Sequence, residues 1–192
     1  YIFFITIVTC AIIVGLSFGF SYGKTTHNTY LVDGLRLLDP SFLENDWFAS
    51  QATHYHHNFS YIVYLAFRFG SGPWNLAILN VCMIAIGFLF VFIWINAIAP
   101  KQALSSFMLV ICIVMLLKTN SVSQSYIFRD FLQPSTLAAT GLLGAISFFI
   151  TGKFLISGIL LGISGWFHSN FLLLGFPFFL LSHLILKKKK LI

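Results

Sequence analysis

Trp74-Asn75-Leu76-Ala77-Ile78-Leu79-Asn80-Val81-Cys82-Met83-Ile84-Ala85-Ile86-Gly87-Phe88-Leu89-Phe90-Val91-Phe92-Ile93-Trp94-Ile95-Asn96-Ala97-Ile98-Ala99 contains no Asp, Glu, Lys, Arg or His. A helix of about 20 predominantly apolar residues is enough to cross the hydrocarbon core of a bilayer. Working outward, further apolar runs fall at 1–20, 103–117, 135–151, 154–167 and 171–186. The run at 1–20 has no basic leader and no small-residue cleavage site, so it reads as a retained helix and not as a signal peptide. The runs from 103 onward are shorter than a full span and are expected to be tilted or covered by neighbouring helices. Gly152-Lys153 alone separates the fourth run from the fifth, which requires a tight helical hairpin.

The composition agrees. The chain is 58% hydrophobic and 8% charged, with a mean hydropathy of +0.92 and 23 Phe. A soluble domain carries about 25% charged residues. So few charges cover the two ends of a bundle whose sides face lipid, and not a globule in water. The expected fold is all-α: a polytopic transmembrane bundle of about six spans, residues 1–192 forming one transmembrane domain that reads as the N-terminal part of a longer protein. The net charge of +6 does not indicate nucleic acid. Four of its positive charges form the run Lys187–Lys190 after an apolar segment, which is the signature of a membrane face. Cys10, Cys82 and Cys112 lie inside apolar runs without metal or disulfide spacing and read as small core residues.

Topology follows from the lysines. With the first helix running from inside to outside, Lys101, Lys153 and Lys187–Lys190 fall in short cytoplasmic connectors, six of the eleven basic residues. The opposite face receives residues 21–73, residues 118–134 and the turn His168-Ser169-Asn170. All five acids, Asp33, Asp39, Glu44, Asp46 and Asp130, land there as well. Within the long outer loop 21–73, Leu31, Leu35 and Leu38 recur at helical spacing, away from Asp33 and Arg36. That pattern predicts an amphipathic helix over 28–38, lying parallel to the membrane. Asp39-Pro40-Ser41 should end it. A second, aromatic-rich helix is expected over 59–69, broken by Gly70-Ser71-Gly72-Pro73 before the next crossing.

Three sets of residues could carry chemistry on that face. The first is the acids: Asp33, Asp46 and Asp130 are candidates for a general base or a divalent-metal ligand, or are solvated loop charges and helix caps. The second is His54, His56 and His57 in Thr53-His54-Tyr55-His56-His57. Their spacing matches no standard zinc site, so no metal is assigned; they read as solvated interface histidines or as donors to a phosphate or sugar hydroxyl. The third is Arg129 with Lys24, Arg68 and His168. Arginine grips phosphate bidentately, and the alternatives are headgroup contact or a pair with Asp130. Gly158-Ile159-Leu160-Leu161-Gly162 is a GxxxG motif and predicts close helix packing.

The stretch from His27-Asn28-Thr29-Tyr30-Leu31 through Leu38-Asp39-Pro40-Ser41-Phe42-Leu43-Glu44-Asn45-Asp46-Trp47-Phe48 resembles uncharacterised bacterial multi-pass proteins thought to share the GT-C glycosyltransferase fold. Arg129-Asp130-Phe131-Leu132-Gln133-Pro134-Ser135, with Phe167-His168 further on, is similar to them too. The resemblance implies a glycosyltransferase that takes a sugar from a polyprenyl-phosphate donor at the outer face of a bacterial plasma membrane. In the transferase reading Asp33 or Asp46 is the catalytic carboxylate, Arg129 and His168 bind the substrate phosphate, and Asp130, His27, His54, His56 and His57 are accessory groups. Its partners would be membrane lipid and the lipid-linked donor, and a divalent metal is the one cofactor such acids would hold. The family usually places an acid directly after the first helix, whereas here that position reads Thr25-Thr26-His27-Asn28 and the first acid is Asp33. The competing classes are a transporter or channel subunit, which should carry ionisable groups on a path through mid-membrane, and a non-catalytic cell-envelope protein.

Overall fold

The computed structural model describes residues 2–24, 26–52, 56–116 and 129–189. Among them there are eight α-helices and no strand: α1 (Ile2–Phe18), α2 (Thr26–Leu38), α3 (His57–Arg68), α4 (Gly72–Ile98), α5 (Ala103–Leu116), α6 (Pro134–Ile150), α7 (Phe154–Phe167) and α8 (Ser169–Lys189). A π-helical turn (Phe48–Ala52) precedes α3, and a 3-10 turn (Pro100–Gln102) leads into α5. The all-helical class expected from the sequence is present. Of the described helices, α4 alone is long and apolar enough to cross a membrane unaided; α1, α5, α6, α7 and the apolar part of α8 are shorter.

The helix boundaries have local causes. Pro73 sits in the first turn of α4 behind Ser71, where its missing N–H would be unpaired in any case. Pro134 opens α6 in the same way. At the far end of α6, Gly152 takes a left-handed φ of 77°. Its N–H bonds Phe149 O at 3.0 Å, and the Lys153 N–H bonds Phe148 O at 2.8 Å. This is a Schellman closure, which satisfies the last carbonyls of α6 and turns the chain into α7 within two residues. A side chain at that φ costs about 1–2 kcal/mol. Gly152→Ala is therefore expected to lower the thermal melting temperature of the purified protein by a few degrees. Unchanged melting would mean that the turn is not held in this conformation.

Small residues bring α6 and α7 together. Ser157 Oγ donates to Ala145 O at 2.7 Å, and Ser164 Oγ donates to Ala138 O at 2.6 Å. A side chain on Gly141 would meet Ser164 Cβ at 3.1 Å. The GxxxG glycines behave differently from expectation: Gly158 and Gly162 have open space where a Cβ would be. The serines lie on the opposite side of α7 and took the contact, because a hydroxyl that reaches a neighbouring helix's carbonyl adds a hydrogen bond to close approach.

Two clusters hold the rest. One joins α1, α4 and α5 through Val14, Ile84, Phe88 and Phe107. The other joins the α2–α3 hairpin to α4 and to the segment before α6 through Leu31, Phe59, Val63, Leu76 and Leu132. The predicted amphipathic helix is thus present, starting two residues early, at Thr26. Its inward face is His27, Leu31 and Gly34, while Leu38, assigned to the apolar stripe, is exposed. The second predicted helix is α3.

Candidate functional site

The site is built on α2. His27, Tyr30 and Asp33 follow one another at three-residue intervals, so they form a stripe that drifts slowly around the helix. Its first two residues meet different parts of the chain.

His27 is fully buried and meets the segment before α6. Its Nδ1 accepts from the Gly23 N–H at 3.2 Å, which puts the ring proton on Nε2, and Nε2 is buried without a hydrogen-bond partner. The ring stacks on Phe131, 4.9 Å between centroids at 19°, and takes the edge of Tyr22 at 5.7 Å. Burial pushes the His27 pKa down to about 4, against an opposing pull from the Ser21 backbone and the Asp130 carboxylate. His27 is therefore neutral at physiological pH, and its role is to pack.

What His27 packs is the carrier of Arg129. The Arg129 guanidinium lies 5.4 Å from the Phe131 ring centre. The Arg129 carbonyl accepts from Asn80 Nδ2 at 2.8 Å, and the Asp130 carbonyl accepts from the Ser21 N–H at 2.8 Å. Leu132 is buried under the α2–α3 hairpin. Residues 129–132 are thus fastened on both sides. The side chain of Arg129 projects from a fixed backbone.

Tyr30, in the middle of the stripe, meets His56, and His56 in turn meets the α7–α8 turn. Tyr30 lies edge-on to His56 at 5.4 Å, and the rings of His56 and His168 are 5.4 Å apart. His56 has a left-handed backbone (φ 58°, ψ 47°) at the entrance to α3. Its Nδ1 lies 3.0 Å from Phe167 O, and since a carbonyl only accepts, that nitrogen carries the proton. Asn58 Nδ2 donates to Trp166 O at 3.1 Å. His168 Nδ1 is buried without a hydrogen-bond partner, with Phe171 edge-on at 5.4 Å. Burial lowers the His56 pKa, the Phe167 carbonyl works against that, and neighbouring His168 lowers it further.

The remaining sequence-derived candidates fall into place around these two groups. Asp33 is half-buried, and its Oδ2 is buried with no hydrogen-bond partner. Asp46 is exposed, and its Oδ1 accepts from the Ala49 N–H at 2.8 Å, capping the π-helical turn. Asp39 Oδ1 accepts from the Ser41 hydroxyl at 2.7 Å and N–H at 3.0 Å, and these bonds hold its carboxyl below the usual range. Among the described residues no hydrogen bond or ion pair joins Asp33 or Asp46 to Arg129 or His168. His57 is exposed, its ring edge-on to Tyr61 at 4.9 Å. His54 lies outside the described residues. Among the described residues no group of three or more His, Cys, Asp or Glu side chains is arranged to hold a metal.

Sequence reasoning gave no site role to Tyr30, Asn58, Asn80 or Phe131. Asn80 carried a visible signal, an amide inside an uncharged 27-residue helix, which has to find a partner. The other three owe their importance to what they touch. Beside the site, an apolar groove of about 550 Å³ runs between α3 and α4, lined by Ile62, Leu65, Phe69, Ile78 and Met83, with Asn75 and Leu132 at its wall. No protein-family model, curated protein or solved structure matches this chain.

Proposed function

We propose that the chain is a multi-pass integral membrane protein of a bacterial plasma membrane, with α1, α4, α5, α6, α7 and α8 as its spans. In this reading it is a GT-C-like glycosyltransferase that takes a sugar from a polyprenyl-phosphate donor at the outer face. The membrane part is supported by what the helices present outward. Only 28% of the most apolar window of α4 is buried, unlike the core helix of a soluble protein. Leu16, Leu116, Leu155 and Leu174 are each more than three-quarters exposed, on four different helices. An apolar surface of that spread needs lipid or a partner to cover it.

The observation that carries the transferase reading is the stripe on α2. Helix α2 touches the Arg129 segment through His27 and Phe131, and through Tyr30 it touches His56, whose ring lies against that of His168. In this reading Arg129, on its tethered segment, and His168 serve the phosphate, and Asp33, whose Oδ2 is buried without a hydrogen-bond partner, serves as the base. Asp33 is the better base of the two acids in this reading, because Asp46 already spends an oxygen on a cap. Asp33 would take the proton of an acceptor hydroxyl as its oxygen bonds to the anomeric carbon. The bond from that carbon to the phosphate oxygen breaks with inversion, and Arg129 and His168 would stabilise the departing polyprenyl phosphate. The groove between α3 and α4 would shelter part of the prenyl chain.

Two experiments test this. Topology comes first: single cysteines at Lys101, Lys153 and Lys187 should label only from the cytoplasmic side, and those at Asp46 and Asp130 only from the other. Labelling of positions 153 and 46 from one side would refute the topology. Function comes second: membranes containing the protein, given a panel of radiolabelled polyprenyl-phosphate hexoses, should release polyprenyl phosphate faster than membranes lacking it. Equal release across the panel would refute the transferase.

A further inference from the structure

The end of the bundle that holds the α6–α7 turn is basic and has no acid of its own. Helices α4 to α8 contain no Asp or Glu, since all five acids fall at 33–46 and at 130. At the turn Lys153 is exposed, its Nζ 5.6 Å from the centre of the Phe148 ring. A row of rings ties this turn to the end of α8. Phe149 on α6 lies 5.3 Å from Phe154 on α7, and Phe154 lies 5.0 Å from the exposed His183 on α8. Lys187, Lys188 and Lys189 close α8, the first of them one turn beyond His183. Two lysine groups far apart in the sequence thus share one end of the bundle. Arg68 is at the other end. The last turn of α3 meets the start of α4 where Asn75 donates to Ala66 O at 2.7 Å, whereas the last turns of α6 meet the second half of α4 where Ser147 donates to Phe90 O at 2.6 Å. With no carboxylate in α4 to α8 to neutralise them, the lysines of the basic end complement an anion from outside the chain.

An apolar groove begins at the same rings. Phe149 lies 4.9 Å from Phe179, and Phe179 is the near wall of a groove of about 360 Å³ between α6 and α8, lined also by Ile146, Leu174 and Phe178 and reaching Asn170. The geometry points to a site for an anionic glycerophospholipid, its phosphate against Lys153 and His183 in the field of the lysines that close α8, and one acyl chain in the groove between α6 and α8. The match is to both halves of such a molecule: a charged head of the right sign, and a chain entering an apolar trough one turn away. Phosphatidylglycerol presents the charge of its phosphate alone, whereas phosphatidylcholine adds a cation that the lysines repel. Each lysine close to an anionic lipid surface contributes about a fivefold gain in binding. The site rests on the membrane reading proposed above and not on the transferase. Cysteine labelling decides the membrane topology, and lipid titration decides this site, so the two fail separately.

The test is a titration of the purified protein in neutral maltoside micelles, followed by calorimetry. Three probes are compared: dioleoyl phosphatidylglycerol, dioleoyl phosphatidylcholine and inorganic phosphate. Phosphatidylglycerol should bind saturably and about fivefold or more tightly than phosphatidylcholine. Lys153→Gln should weaken phosphatidylglycerol about fivefold, and Lys153→Arg, which keeps the charge, should bind like the wild type. Arg68→Gln removes the same charge at the other end of the bundle and should leave the affinity within about twofold. Lys187→Gln/Lys188→Gln should weaken binding by about twenty-fivefold, and this variant stands in if Lys153→Gln does not fold. Equal affinity for the two lipids overturns the site, as does unchanged affinity in both glutamine variants. An equal loss in Arg68→Gln would reduce the effect to net charge and overturn it too. Inorganic phosphate that binds as tightly as phosphatidylglycerol would make this a free-anion site and overturn the lipid.

Discussion

Replacing Gly34 with alanine is expected to pry α2 from α3 and to destabilise the hairpin by about 2 kcal/mol. At this crossing the helices touch backbone to side chain. A Cβ on Gly34 would collide with Val63 Cβ and would lie 2.7 Å from Ser60 O. Neither obstacle is the movable end of a flexible side chain. Val63 is β-branched and fully buried, and Ser60 O belongs to the backbone of α3. Overpacking of a core typically costs about 1–3 kcal/mol. Alanine recovers up to about 1 kcal/mol of helix propensity, which does not remove the collision. A change of 2 kcal/mol is about a thirtyfold rise in the opening equilibrium. It should appear as faster amide hydrogen exchange across 26–38, with exchange in α6 and α7 unchanged, since those helices pack on each other. Exchange rates in α2 equal to those of the wild type would show that the crossing is not this close.

On the transferase reading proposed above, replacing Arg129 with alanine is expected to cut sugar transfer by about 10²–10³-fold, the usual cost of deleting one fixed donor aimed at developing charge. The substitution removes the guanidinium and its contact with the Phe131 ring. The Arg129 carbonyl stays on Asn80, Phe131 stays stacked on His27, and Leu132 stays buried, so the segment keeps its path. Arg129→Lys should recover only part of the loss, because an ammonium keeps the charge but not the two-pronged geometry. The measurement is release of polyprenyl phosphate in reconstituted vesicles, normalised to inserted protein. Full activity in the alanine variant would remove Arg129 from the mechanism.

Much of the helical layout was legible in the chain itself. The run 154–167 became α7 with the same bounds, and Asp39-Pro40 ended α2 where proline forbids a helix to continue. Gly152-Lys153 announced the α6–α7 hairpin because two residues allow little else. These features depend on neighbours within a turn or two, so local composition contains them. The partly legible features were those of a single helix face: periodicity placed Leu31 inward correctly and Leu38 incorrectly, since a stripe in one helix does not say where the neighbouring helix ends.

The candidate site shows the same division. Asp33, Asp46, Arg129, His56 and His168 were visible as polar residues in the connectors between apolar runs. Their fates were not. Asp46 became a cap, Asp33 kept a buried oxygen without a partner, and His56 left its neighbour His57 to reach a turn more than a hundred residues away. By itself the sequence determined that this protein is helical and overwhelmingly apolar, where most of its helices begin and end, and that its acids share a few connectors. Only the tertiary structure decided that His27 is a neutral packing residue, that α7 meets α6 through serines and not through its GxxxG glycines, and that His56 reaches Phe167 and His168. The physical reason is range: helix formation is settled by hydrogen bonds four residues apart, whereas burial, pKa and pairing depend on which distant side chains fill the space beside each group.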